Sequence, residues 1–219
     1  MNTSETATLS ASLKGLTENL SSKVDKTIIQ KFEKGIQELL ASDITKKALK
    51  AGDKAPDFKL NNALNKLIKL SSILQDGPAI LTWYRGGWCP YCNTHLNYFQ
   101  KELSKFNKCG ASLVALTSEL PNKSLSTKEK NNLGFEVLTD YNNDVARQFG
   151  IVYTLNDELQ DFYNTFNKLE TFNGVDTNEL PIPATYVIDT DFSIKYAFVN
   201  PDYRKRAEPS EIISVLITL

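Results

Sequence analysis

The sequence predicts an α/β fold: a central mixed sheet with helices on both faces, preceded by an N-terminal helical extension. Short apolar runs bounded by Gly and Pro read as buried strands, and stretches with apolar residues every three to four positions read as helices. Beyond residue 50 the two patterns alternate along the chain, as a layered α/β domain requires. The first fifty residues contain no Cys, Trp, His or Pro and show the helical period alone.

In that extension Leu9, Leu13, Leu16 and Leu20 form one apolar stripe, and Ile28, Ile29, Phe32, Ile36, Leu39 and Leu40 form a second. Their polar faces mix Lys with Glu and Asp, unlike a membrane-surface helix, so the stripes are expected to cover a face of the core or to make a homodimer contact. No candidate catalytic group falls here, so removing residues 1–45 is expected to leave a folded domain with its thiol chemistry.

A second domain, 51–219, opens at Gly52-Asp53. Ala79-Ile80-Leu81-Thr82-Trp83 and Leu113-Val114-Ala115-Leu116 read as buried strands. Between them Leu96, Phe99, Leu103 and Phe106 mark a helix from Cys92 to about Phe106, and the order strand, helix, strand implies a right-handed parallel crossover. Pro121 to Asn132 reads as a solvated helix or loop, Phe135 to Leu138 as a strand and Asp144 to Phe149 as a helix. Thr185 to Ile188 and Ile194 to Phe198 form a hairpin around Asp189-Thr190-Asp191, and Glu208-Pro209-Ser210-Glu211 opens a last helix.

Of the 219 residues 41% are hydrophobic and 23% charged, the composition of an ordinary globular chain. A net charge of −1 leaves no excess to recruit nucleic acid or anionic lipid. Met1-Asn2-Thr3-Ser4-Glu5 lacks a basic and an apolar leader segment, and three cysteines cannot staple a secreted domain. A reducing, cytoplasmic setting is expected.

Chemistry concentrates in Trp83-Tyr84-Arg85-Gly86-Gly87-Trp88-Cys89-Pro90-Tyr91-Cys92-Asn93. A strand ends, two glycines permit a tight turn, and Pro90 suits the first helical position, which makes Cys89 the N-cap. Cys92 lies three residues on, on the same side of one turn, within disulfide reach of Cys89. The free N–H groups of the first turn and the charge of Arg85 favour a thiolate.

The run RGGWCPYCN, with APDF upstream, resembles the peroxiredoxin-like branch of the alkyl hydroperoxide reductase and thiol-specific antioxidant superfamily. Residues 124–140 (SLSTKEKNNLGFEVLTD), 145–155 (VARQFGIVYTL), 173–189 (NGVDTNELPIPATYVID) and 198–209 (FVNPDYRKRAEP) extend the resemblance over Leu49 to Pro209. It implies a thioredoxin-like fold and a thiol peroxidase that reduces hydrogen peroxide or organic hydroperoxides through a sulfenic acid and a Cys89–Cys92 disulfide. Thioredoxin, glutaredoxin or a low-molecular-weight thiol would reopen that disulfide, and no cofactor or metal is implied.

Laid on the family's P-x-x-x-T/S-x-x-C motif, Arg85 stands at the proline, Cys89 at the threonine and Cys92 at the peroxidatic cysteine. Helix position favours Cys89 as the first nucleophile and the resemblance favours Cys92; Cys92 is assigned attack and Cys89 resolution. Trp88, Tyr91 and Pro183 are the expected substrate-facing residues. Pro183 resembles the cis-proline of thioredoxins and stands where the family carries an arginine, so a cis Ile182-Pro183 bond beside the dithiol is expected.

A zinc site would need four ligands, and only Cys109 and His95 remain to complete one. Cys109 reads as a small buried hydrophobe, and His95 as a helix-surface residue in preference to a proton relay. Among the four arginines, Arg85 is assigned function, whereas Arg147 and Arg206 are expected in structural ion pairs. Two competing functions are a thiol–disulfide oxidoreductase, which Cys-X-X-Cys and Pro183 favour, and a binding module with incidental thiols.

Overall fold

The computed structural model describes residues 8–166 and 168–219, so the first seven residues of the expected extension lie outside the described residues. The chain begins with helices α1 (Leu9–Ser21), α2 (Lys26–Ala41) and the short α3 (Ile44–Lys47). Strands β1 (Lys59–Asn62) and β2 (Leu67–Lys69) follow, then α4 (Leu70–Ile73), β3 (Ala79–Trp83), α5 (Pro90–Lys108) and β4 (Ser112–Thr117). Next come α6 (Pro121–Lys130), β5 (Glu136–Thr139), α7 (Asp144–Gln148), β6 (Val152–Thr154), α8 (Asp157–Phe166) and α9 (Leu169–Asn173). The chain closes with β7 (Glu179–Pro181), β8 (Ala184–Ile188), β9 (Ile194–Val199) and α10 (Pro209–Leu216).

Seven strands form one sheet in the order β2-β1-β5-β4-β3-β8-β9, and β6 with β7 forms a separate ribbon. The pairs β3–β4 and β4–β5 are parallel, whereas β3–β8, β8–β9 and β1–β5 are antiparallel. The sheet is therefore mixed, with the expected parallel β3-α5-β4 crossover and the expected β8–β9 hairpin.

Alternate side chains of β3 feed two cores, as strand geometry dictates. Ile80 joins the cluster under α5 and α10, which contains Leu96, Phe99, Phe106 and Ile212. Ala79, Leu81 and Trp83 join the opposite cluster, where Trp83 packs on Phe149 and Tyr186 with ring centroids 4.6 and 5.9 Å apart.

The N-terminal stripes cover the core. Leu9 and Leu13 of α1 are buried in the α5–α10 cluster, while Ile36 is the buried residue of α2. Thr8 caps α1 by accepting the Ala11 N–H at 3.2 Å. A second cap comes from the far end of the chain: Glu208, the N-cap of α10, accepts the N–H groups of Ser10 at 2.7 Å and Leu9 at 3.3 Å. A carboxylate at a helix N-terminus satisfies orphan donors and opposes the positive end of the dipole.

The Ile182–Pro183 bond is trans, since no peptide bond among the described residues is cis, which corrects the thioredoxin-type expectation. The physical reason is continuity. Pro181 pairs with Val152, Ile182 N–H donates to the Ile151 carbonyl, and Pro183 leads straight into β8, so extended backbone runs through the segment without a reversal.

Candidate active site

The site is built where β3 ends and α5 begins. The Tyr84 N–H still donates to Leu116 O, after which Cys89 N–H donates to Gly86 O at 3.0 Å and closes the turn. Both glycines are required by space. A Cβ on Gly86 would lie 2.2 Å from the Trp88 ring nitrogen, and one on Gly87 would lie 2.0 Å from the Thr127 hydroxyl. Cys89 is the N-cap and Pro90 the first helical residue, as expected, with the helix closing through Asn93 N–H to Cys89 O at 3.1 Å. The Asn93 amide donates to Gly87 O at 2.8 Å and accepts from Asn131, pinning the turn to the helix.

Cys89 and Cys92 are both buried, at 2% and 0% exposure, and both are free thiols. The Cys89 sulfur accepts no N–H bond from the first turn, contrary to what its cap position suggests. Its S–H is directed to Cys92 instead. Burial pushes the Cys92 thiol up, but the Cys89 S–H, the Arg206 and Arg85 charges and the Arg85 backbone N–H outweigh it, bringing the pKa down to about 5. Burial drives Cys89 the other way, reinforced by the thiolate it faces. The surroundings thus favour negative charge on Cys92 and disfavour it on Cys89.

Two buried guanidinium groups flank that charge. The Arg206 terminal nitrogen lies 3.5 Å from Cys92 Sγ, and its other terminal nitrogen donates to the carbonyls of Tyr203 and Lys205. Arg206 therefore does not form the structural ion pair expected from sequence. Its segment folds back over the start of α5, placing the guanidinium against sulfur rather than carboxylate. Arg147 does pair with a carboxylate, that of Glu179 at 2.5 Å.

Arg85 sits within a cage of rings, 4.3 Å from the centroid of Tyr203, 5.0 Å from Trp88 and 5.7 Å from Tyr163, and donates to the Tyr163 hydroxyl. Among the described residues neither Arg85 nor Arg206 meets a carboxylate. Because an uncompensated buried charge is strongly unfavourable, the Cys92 thiolate is the natural counter-ion for both.

Behind the turn, the buried Glu119 carboxylate accepts Gly87 N–H at 2.9 Å and the Tyr84 hydroxyl at 3.3 Å, and burial raises its pKa. His95 is fully buried, edge-on to Phe99 at 4.1 Å, so it is not the surface residue expected from its place in the sequence. Burial, with Arg206 nearby, holds its pKa well below the ordinary value and keeps the ring neutral. Cys109 is the partly exposed C-cap of α5. Among the described residues no three His, Cys, Asp or Glu side chains converge as metal ligands, and no helix is long and apolar enough to cross a membrane.

A cavity of about 220 Å³ opens beside Cys89 and is bordered by Arg85, Trp88 and Tyr91. The fold thus gathers Arg85, Trp88, Cys89, Tyr91 and Cys92 at the turn into α5, whereas Pro183, immediately before β8, the strand that pairs with β3, is not on the cavity wall. Tyr163, Tyr203 and the N-terminal residues Leu20, Val24, Ile28, Ile29 and Phe32 also line the cavity, and sequence reading missed them. For Arg206 a signal existed: it lies in one of the family-like motifs and is one of only four arginines.

The AhpC/TSA family model matches residues 51–197. The chain belongs to the AhpC/TSA family. A Mycobacterium tuberculosis protein provisionally named a peroxiredoxin is 27% identical over 143 residues, 65% of this chain and 80% of its own. Escherichia coli peroxiredoxin Bcp is 27% identical over 103 residues, 47% of this chain and 65% of its own. The crystal structure of peroxidoxin BcpB from Mycobacterium tuberculosis is similar with a TM-score of 0.62 at 23% identity, covering 78% of this chain and 98% of that one. As an AhpC/TSA member with a thioredoxin-like α/β fold, the protein is a thiol-dependent peroxidase, an oxidoreductase.

Proposed function

We propose that Cys92 is the sulfur that attacks the hydroperoxide and Cys89 the one that resolves it, within a catalytic domain 51–219 that the extension 1–50 covers. The observation that carries this reading is the charge arrangement: Cys92 faces Arg206, the Arg85 N–H and the Cys89 S–H together. The Cys92 thiolate attacks the terminal oxygen of the hydroperoxide, forming an S–O bond as the O–O bond breaks, and the departing alkoxide or hydroxide takes up a proton and leaves as alcohol or water, giving Cys92–SOH. The Cys89 thiol then displaces hydroxide from that sulfenic acid, which leaves as water with the Cys89 proton, forming the Cys89–Cys92 disulfide.

A dithiol such as thioredoxin or glutaredoxin, or two molecules of a small thiol, returns both electrons by exchange. A reducing cytoplasmic compartment suits a chain with three cysteines and no disulfide framework. A homodimer contact through the N-terminal stripes would fall to the members that Leu9, Leu13 and Ile36 leave exposed, such as Leu40.

Cys89→Ser keeps a hydroxyl donor to the thiolate, so it should retain one fast oxidation by peroxide and accumulate a trappable sulfenic acid at Cys92, while Cys92→Ser reacts slowly. The opposite pair of results assigns attack to Cys89. That second reading rests on one observation: the cavity wall includes Cys89 and not Cys92, which also suits thiol–disulfide exchange. Slow oxidation of the wild type by every peroxide, with rapid exchange against a protein disulfide, would replace the peroxidase mechanism.

A further inference from the structure

We infer that Glu119 is a positioning residue for the attacking sulfur: together with Asn93 it clamps the backbone of Gly87 at both its N–H and its C=O, and so aims the Arg85 N–H at Cys92. The inference deepens the reading of Cys92 as the nucleophile and rests on it. Gly86 and Gly87 give the link from β3 to α5 a conformational freedom that residues with a Cβ lack. Side chains from three directions supply the missing constraint. Glu119, just past β4, accepts the Gly87 N–H through Oε1 at 2.9 Å. Asn93, near the start of α5, donates to Gly87 O at 2.8 Å and to Cys89 O at 3.2 Å. Asn131, the C-cap of α6, donates to the Asn93 amide oxygen at 2.9 Å and holds that side chain in turn. The second oxygen of Glu119, Oε2, faces the Tyr84 hydroxyl at 3.3 Å and the Thr127 hydroxyl at 3.4 Å. Glu119 thus grips residues 84 and 87, which bracket Arg85, the residue whose N–H reaches the Cys92 sulfur.

Glu119 is buried and pairs with no lysine or arginine among the described residues. Burying a carboxyl group without a cation is unfavourable, so packing alone does not account for it, whereas the donors it organises do. The titratable groups that face it are Tyr84 from the end of β3 and Cys92 from α5. Its two oxygens have different surroundings. Oε1 meets an N–H, which can only donate, while Oε2 meets hydroxyls, which donate or accept. A proton on Oε2 therefore leaves the Gly87 bond intact, and the clamp holds whether Glu119 is ionised or neutral. Its influence on Cys92 has two parts of opposite sign. As a like charge it disfavours the thiolate, and as an anchor of the Arg85 N–H it favours the thiolate, so substitution can separate them.

The test follows the ultraviolet absorbance of thiolate against pH in the reduced full-length protein, the step that disappears in Cys92→Ser being that of Cys92. The wild-type midpoint is expected at about 5. Glu119→Ala should raise it by about one unit or more. Glu119→Gln, whose amide oxygen still accepts the Gly87 N–H and whose NH2 group meets the two hydroxyls, should leave the midpoint at or below the wild-type value. Hydrogen exchange at the Arg85 and Gly87 amides should quicken in the alanine variant and not in the glutamine one. A role confined to stability would lower the denaturation midpoint without moving the thiolate step. A thiolate midpoint that stays or falls in Glu119→Ala, or that rises as far in Glu119→Gln, overturns the inference. Should the alanine variant not fold, Asn93→Ala, which frees the other side of Gly87, decides in its place: a raised midpoint supports the clamp and an unmoved one overturns it. A step near pH 5 that persists in Cys92→Ser belongs to another thiol and overturns the reading of Cys92 itself, an outcome distinct from failure of the clamp.

Discussion

Arg206 reaches Cys92 through a single terminal nitrogen, with its remaining donors spent on main-chain carbonyls or left unpartnered. Its hydrogen bond to sulfur is therefore directed at Cys92 alone, while its charge also reaches Cys89. The thiolate form of Cys92 is present above about pH 5 and lost as the pH falls through that value. Removing an opposite charge at this distance typically shifts a pKa by about 1–3 units, here upward. Arg206→Gln should thus slow peroxide oxidation roughly tenfold or more at pH 6 and regain much of the difference at pH 9. Arg206→Lys should restore part of the acid limb. A variant slowed equally at every pH would show that Arg206 only shapes the loop. This residue was hard to read beforehand because its role depends on a contact across 114 positions, whereas Cys89, Pro90 and Cys92 declare a helix start through neighbours alone.

At the scale of elements, α5 was legible in its start, its apolar face and its strand partners, since each follows from local period and cap chemistry. The extension was legible as helices but not in its contribution to the site. Its stripes hold no chemistry, which suggests from sequence that residues 1–45 are dispensable. The fold argues otherwise, because Leu9 and Leu13 lie in the same cluster as Leu96 and Phe99, and the turn after α1 borders Cys89. Leu13→Ala should therefore lower stability in urea titration by roughly 2–5 kcal/mol, the range for a buried leucine. A loss below about 0.5 kcal/mol, the surface range, would mean that α1 merely rests on the domain. His95 was misread although it shares its helix face with Tyr91, Cys92, Tyr98 and Phe99: residue type suggested a surface place, whereas the neighbours on that face already marked a buried one.

Considered as a whole molecule, the peroxidase stores two buried positive charges against one sulfur anion. Forming the Cys89–Cys92 disulfide removes the anion and leaves Arg85 and Arg206 without a counter-ion. The oxidised protein should unfold at lower denaturant than the reduced one, by up to roughly 3 kcal/mol. Hydrogen exchange should quicken at residues 85–92 and in the helices lying over them. Equal midpoints for the two redox states would show that the rings and carbonyls suffice to hold both guanidinium groups. That instability of the oxidised form would also favour its return to the dithiol, since the reductant releases the strain of unpaired charge.

The wide separation of Cys92 from Arg206 has a further consequence during biosynthesis. At about 5–20 residues per second, the ribosome delivers the arginine on the order of ten seconds after the cysteine. The Glu208 carboxylate that caps the N-terminal helix follows two residues later, 199 positions after Leu9. Until that stretch emerges, the nascent chain carries a thiol of ordinary acidity, near 8.5, largely protonated and slow to oxidise. The sulfur is armed only when the segment that also fastens the covering helix arrives, so the same late-made loop switches on reactivity and closes the shelter around it.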